Sequence, residues 1–184
     1  MAKIFVIRHG ETDYNVQGRY CGSTDVELNR AGIEQAIKVA EMLRNYSIDF
    51  IISSTMKRAV KTSSIIAEKL SKPLVVINGL QERNVGVYEG LTRSEVQEKY
   101  PDLWNSNSLY LFDESPHKGE SIKQVQNRVF NAIDNIKESY KDKNVLIVTH
   151  GFISRTINKY FNEVSEEDFH KFSLKNCEVF EFEY

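Results

Sequence analysis

Short apolar runs alternate with amphipathic stretches along this chain. Residues 4–7 (Ile4, Phe5, Val6, Ile7) have the length and β-branched content of a buried strand. Phe50-Ile51-Ile52 within 49–53, Leu74–Ile77, and Val145-Leu146-Ile147-Val148 within 144–149 have the same character. Helical spacing fills the intervals. Asn29 stands as an N-cap before a stripe of Ile33, Ala36, Ile37, Ala40 and Leu43. A second helix is expected from about 56 to 70, with Val60, Ile66, Ala67 and Leu70 on its apolar side and Pro73 beyond its end. Thr92-Arg93-Ser94-Glu95 is a capping box that opens a short helix to about Tyr100. Ser121 forms another with Gln124 and starts the longest helix, striped by Ile122, Val125, Val129, Ile133 and Ile136. A further helix runs from His150-Gly151 to about Phe161. The tail alternates Phe180, Phe182 and Tyr184 with Glu181 and Glu183, as an edge strand with one solvated face does. Stretches 11–27, 78–90 and 101–120 lack periodicity and are expected as loops, the last placed to act as a lid. The sum is an α/β fold: a three-layer α/β/α arrangement with a mostly parallel central sheet and an antiparallel edge strand.

Composition narrows the function classes. The 184 residues are most simply one domain, 1–184, with 41% apolar and 27% charged residues. A net charge of −2 leaves no basic face for nucleic acid, so any attraction for anions must be local. The apolar run near the amino terminus is too short for a signal peptide, and no stretch is long enough to span a membrane. Cys21 and Cys177 read as reduced thiols, which points to a cytoplasmic protein. Oligomeric state is left open.

Chemistry concentrates at the strand ends. Arg8-His9-Gly10 and Thr149-His150-Gly151 each follow an apolar run, and in a parallel sheet both histidines emerge at the same edge, where open α/β sheets bind ligands. Arg58 falls in the first turn after the second strand, near that edge. Two imidazoles and two guanidiniums suit a dianionic phosphoryl group, and Gly10 gives it room to approach. An imidazole held there can act as nucleophile. A carboxyl must protonate the leaving oxygen and later activate water, and Glu11, Glu82, Glu89 and Asp113 are all eligible on the residues alone.

Plainer readings stand beside these. A lone histidine after a strand is commonly structural; the matched pair with Arg8 reverses that reading for His9 and His150. Arg58 alone would be a solvated helix residue, Asn15 a turn cap, and His117 and His170 surface residues. No His-x-x-x-His spacing supports a metal, and the arginines would repel a cation, so the reading calls for no metal and no cofactor. A phosphate-binding module without catalysis is the alternative from a different class.

Several segments resemble the histidine phosphatase superfamily, which includes the cofactor-dependent phosphoglycerate mutases. They are Arg8-His9-Gly10-Glu11-Thr12 with Asn15, residues 22–32 (GSTDVELNRAG), 53–67 around Arg58-Ala59, 80–90 (LQERNVGVYEG) and 148–151. They cover nearly the whole chain in the family's order. The resemblance implies a phosphoglycerate mutase-like fold and a phosphohistidine on His9, with Arg8, Arg58 and His150 holding the phosphoryl group. It implies Asn15 as a further phosphate contact and Glu82 as proton donor. Thr24 and Gly151, inside the matching segments, are taken as additional substrate contacts. Mutases carry a longer insertion after the position of Glu82-Arg83, with paired arginines that grip a carboxylate. Here no arginine occurs between Arg93 and Arg128. Hydrolysis of small phosphate monoesters is therefore the favoured expectation, with mutase activity or α-ribazole phosphatase specificity as alternatives.

Overall fold

The computed structural model describes residues 2–183; Tyr184, expected in the edge strand, lies outside them, as does Met1. Five strands form one sheet: β1 (Lys3–Arg8), β2 (Phe50–Ser54), β3 (Leu74–Ile77), β4 (Val145–Thr149) and β5 (Val179–Glu183). Their order is β3-β2-β4-β1-β5. The first four run parallel, and β5 pairs antiparallel with β1.

Alternation along the strands builds two cores. Ile4 and Val6 of β1 and Val145 and Ile147 of β4 face one side, under α6 (Ile122–Ser139) and α7 (Gly151–Asn162). Phe5, Ile7, Leu146 and Val148 face the other, under α2 (Arg30–Leu43) and α3 (Lys57–Leu70). Both faces of β1 and β4 are thus buried, which is why these strands read as unbroken apolar runs.

Helix boundaries follow the caps. Asn29 Oδ1 accepts the Gly32 N–H at 2.8 Å at the start of α2. Reciprocal capping boxes open α4 (Arg93–Lys99) from Thr92 and α6 from Ser121. Two expected loops contain helices. α1 (Asp13–Val16) is capped by Thr12 and Asn15, and α5 (Pro101–Asn105) starts on its proline. One turn of helix is too short to show a period, so only its cap could announce it. Face assignments shift as well. Ile37 is exposed, and Val39 with Gly32 takes its place in the buried face of α2. Val60 is half-buried, while Arg58, Ala59, Thr62, Ser63 and Ile66 form the buried face of α3.

The segment 106–120 is largely exposed and is anchored to the body of the protein by the buried Ser108, Phe112 and Pro116. Phe112 is buried against Ile122 and Phe169, and the Glu120 N–H donates to the Asn84 carbonyl at 2.8 Å.

Candidate active site

Sheet register brings the histidines together. Arg8 pairs with Thr149 across β1 and β4, and the His9 N–H donates to the Thr149 carbonyl at 2.9 Å. His9 and His150 are the first residues past that matched pair, and their ring centroids lie 5.2 Å apart. Ser53 of β2 pairs with Val148, so Ser54 arrives beside His150. Ser54 Oγ lies 2.8 Å from His150 Nε2.

These contacts assign the protons. His9 Nδ1 lies 2.7 Å from the Gly10 carbonyl, which can only accept. Nδ1 therefore carries the hydrogen, and Nε2 of the neutral ring keeps its lone pair. Ser54 Oγ also accepts the Met56 N–H at 3.4 Å, and with one hydrogen and a second lone pair it can either donate to His150 Nε2 or accept from it. With the serine donating, the proton of neutral His150 sits on Nδ1.

Arg58 is fully buried and clamped by the carbonyls of Thr24 (2.8 Å) and Gly22 (3.0 Å). Arg8 donates through Nη1 to the Leu174 carbonyl at 3.0 Å. The remaining polar atoms are distinctive: Arg8 Nε, Arg58 Nε and His150 Nδ1 have no hydrogen-bond partner among the described residues. A buried unmet polar atom costs about 1–3 kcal/mol, so three in one neighbourhood form a costly arrangement that an anion would repay.

Arg8 opens onto a cavity of about 370 Å³, with Asn15, Gly22, Glu82 and Phe152 also in its wall; the more deeply buried His9, Arg58 and His150 do not line it. Of the four eligible carboxylates Glu82 is the one in that wall. Its Oε1 accepts the Arg83 N–H at 2.9 Å and its Oε2 the Phe152 N–H at 3.3 Å, at the start of α7. Glu11 accepts from Asn29, Asp113 pairs with Lys123 on the surface, and Glu89 binds the 22–24 loop. Among the described residues no three histidine, cysteine or acidic side chains gather in a cluster that could hold a metal ion.

Residues 4–184 match the model of the histidine phosphatase superfamily, branch 1. The chain belongs to the histidine phosphatase superfamily. It is 33% identical to the uncharacterized phosphatase PhoE of Bacillus subtilis, over 91% of this chain and 80% of that one. It is 34% identical to a 2,3-bisphosphoglycerate-dependent phosphoglycerate mutase of Cytophaga hutchinsonii, over 91% and 81%. Among solved structures it resembles Entamoeba histolytica phosphoserine phosphatase in complex with 3-phosphoglyceric acid. That likeness has 31% identity, a TM-score of 0.83 and coverage of 99% and 90%. Family and phosphatase relatives together make this chain a phosphoric monoester hydrolase.

In this histidine phosphatase both imidazoles are held well below their ordinary pKa. Burial is the chief cause for each; the Arg58 charge adds to it, and each ring also feels Arg8. His9 is thus a neutral nucleophile candidate at physiological pH.

Some residues expected at the site have different placements. The Thr24 hydroxyl donates to Glu89 at 2.6 Å, and Thr24 is absent from the cavity wall; its carbonyl, holding Arg58, is what reaches the site. Gly151 is the first residue of α7, its Cα backing onto the Arg8 guanidinium, so it acts as a neighbour of Arg8. Gly10 makes room for protein and not for ligand: a Cβ there would lie 2.4 Å from the Gly32 carbonyl oxygen. Asn15 lines the cavity, but its Oδ1 is occupied by the Thr12 N–H (3.1 Å) and Asn176 Nδ2 (3.2 Å), so only its amide nitrogen is available to a ligand.

Other contributors escaped sequence reasoning. Asn176 Nδ2 also donates to the His9 carbonyl at 2.9 Å, tying the backbone of His9 to Asn15. Glu89 organises the loop that clamps Arg58, accepting from the Ser23 N–H and hydroxyl as well as from Thr24. Arg83, Arg155 and His170 join the cavity wall, His170 contrary to its expected place on the surface. His117 is exposed. None of these roles had a local sequence signal, apart from Arg83 lying next to Glu82.

Proposed function

We propose that this protein hydrolyses small phosphate monoesters through a phosphohistidine on His9 Nε2, with Glu82 as general acid and then general base. The observation that carries the reading is the set of three buried polar atoms without a partner, on Arg8, Arg58 and His150, gathered beside a neutral imidazole. His9 Nε2 attacks phosphorus, the ester P–O bond breaks, and Glu82 gives its proton to the departing oxygen. Charge developing on the phosphoryl oxygens is met by Arg8 Nε, Arg58 Nε and His150 Nδ1–H. Water enters, Glu82 takes its proton, and the oxygen attacks phosphorus. The P–N bond breaks, releasing phosphate and neutral His9.

Free thiols at Cys21 and Cys177 support a cytoplasmic setting for this chemistry. Among the described residues no helix is long and apolar enough to cross a membrane.

Incubation with a ³²P-labelled ester should give an acid-labile, base-stable phosphoenzyme in the wild type and none in His9→Ala. Absence of that species, with His9→Ala hydrolysing as fast as wild type, would rule the covalent route out. Mutase activity is separated by offering 3-phosphoglycerate with 2,3-bisphosphoglycerate; phosphate release should outpace isomerisation.

A further inference from the structure

Four consecutive carbonyls of the loop after β3, which carries Glu82, are held by side chains from other elements. Arg128 of α6 takes three of them: Nη1 donates to Gly79 at 2.9 Å and to Gln81 at 2.8 Å, and Nη2 to Glu82 at 3.2 Å. The Thr149 hydroxyl, at the end of β4, takes the fourth, on Leu80, at 2.9 Å. Residue 79 is a glycine with φ of +93°, and a Cβ there would lie 3.0 Å from the Ala132 Cβ. The loop backbone therefore rests directly on α6.

Glu120 completes the clamp from the other side. Its carboxylate meets Arg128 Nε at 2.9 Å and Nη2 at 3.0 Å, as a bidentate pair. Oε2 also accepts the Asn84 N–H at 2.9 Å, and the Glu120 N–H donates to the Asn84 carbonyl at 2.8 Å. Burial pushes the Glu120 carboxyl up, but the Arg128 hydrogen bond, the Asn84 N–H and the charges of Arg128 and Arg83 outweigh it and hold its pKa below the ordinary value. The pair is thus charged at neutral pH. Ser121 caps α6 immediately after Glu120, which fixes the start of the helix and so the place where Arg128, two turns on, meets that carboxylate. One ion pair anchors the backbone before and after Glu82.

Neither Arg128 nor Glu120 is in the cavity wall, so any effect on the reaction passes through the loop they hold. We infer that Arg128 and Glu120 are positioning residues for the hydrolysis, holding the backbone of Glu82 so that its carboxyl meets the departing oxygen. This rests on the reading of Glu82 as general acid. A loop outside the sheet ladder has to find donors for its carbonyls elsewhere. A planar guanidinium bonded to three of them keeps their relative places. Displacement of a reacting group by about 1 Å can cost about 100-fold in rate.

Phenyl phosphate and p-nitrophenyl phosphate differ only by the nitro group, but phenolate is the poorer leaving group and needs the proton more. For each ester kcat/KM reports transfer of the phosphoryl group to His9. Arg128→Lys keeps the charge and loses the fork; it should lower kcat/KM about 10–100-fold for phenyl phosphate and about threefold for p-nitrophenyl phosphate. Glu82→Gln should shift the ratio of the two in the same direction, and adding Arg128→Lys to it should shift the ratio no further. Circular dichroism checks folding. If Arg128→Lys does not fold, Glu120→Gln, which retains an acceptor for the Asn84 N–H, takes its place with the same expectation. Equal losses on the two esters, a further shift in the double variant, or unfolding of both single variants would overturn the positioning role and leave the Glu82 reading intact. A wild type that cleaves neither ester, or a Glu82→Gln enzyme with the wild-type ratio, would refute that reading and the positioning role with it.

Discussion

The hydroxyl of Ser54, at the end of β2, meets Nε2 of His150, at the end of β4, at 2.8 Å. This contact sets which nitrogen of His150 faces the phosphoryl site. Ser54→Ala should therefore lower kcat/KM by about 10–100-fold, the usual cost of losing a group that orients a site histidine. Ser54→Thr, which keeps a hydroxyl, should recover most of it. Steady-state kinetics on the two variants, with circular dichroism to confirm folding, decides the matter. Equal losses in both would assign Ser54 a packing role.

Glu82 can be tested through the leaving group. An alkyl phosphate needs its departing oxygen protonated, whereas p-nitrophenolate leaves unaided. Glu82→Gln should slow alkyl ester hydrolysis by about 10²–10⁴-fold. Phosphoenzyme formation from p-nitrophenyl phosphate, followed as the p-nitrophenolate burst, should fall far less. Equal effects on the two substrates would remove Glu82 from proton donation.

The depressed pKa values of His9 and His150 make stability depend on pH with a definite sign. Between their folded values and the ordinary value of about 6.5, the unfolded chain binds more protons than the native one. Stability should thus fall as pH drops below about 6.5, each histidine adding up to about 1.4 kcal/mol per pH unit, and level off above it. Urea unfolding from pH 7.5 to 5 should show a shallower slope for His9→Asn than for wild type. Parallel curves would contradict burial of a neutral His9.

Close packing of Gly10, Gly32 and Glu11 sets the position of α2 against the loop that follows His9. A Cβ on Gly32 would lie 2.1 Å from the Glu11 carbonyl oxygen, and that atom is backbone. Gly32→Ala should cost about 2 kcal/mol through overpacking. For a chain of this size that corresponds to a fall in melting temperature of about 4–8 °C. Calorimetric scanning provides the check, and an unchanged melting temperature would show that the loop moves aside freely.

The parts of the site that could be read from sequence are those attached to strong periodic elements. β1, β2 and β4 are buried on both faces, so their ends are conspicuous, and Arg8, His9, Arg58 and His150 occur at those ends or one turn beyond. Glu82 needed the family likeness, because the loop after β3 has no period and three other carboxylates were equally eligible. Arg83, Arg155, His170 and Asn176 come together only through long loops. Arg155 looked like one more polar residue of α7, and His170 sits in a single 3-10 turn, Phe169–Lys171. The hydroxyl of Thr24 has a partner of the same hidden kind, Glu89, 65 residues later, which no local pattern announces.

Asn176 gives the site a temporal order. His9 directly follows β1, which lies between β4 and β5, and its carbonyl is fastened by a side chain 167 residues further on. During synthesis on a ribosome, His9 emerges early without the neighbours that hold its ring and shield it. Residues 145–183 must follow before β1 is flanked on both sides. A partly made chain therefore displays the His9 imidazole before its pocket exists, and the site is complete only when the late strands close around the first one.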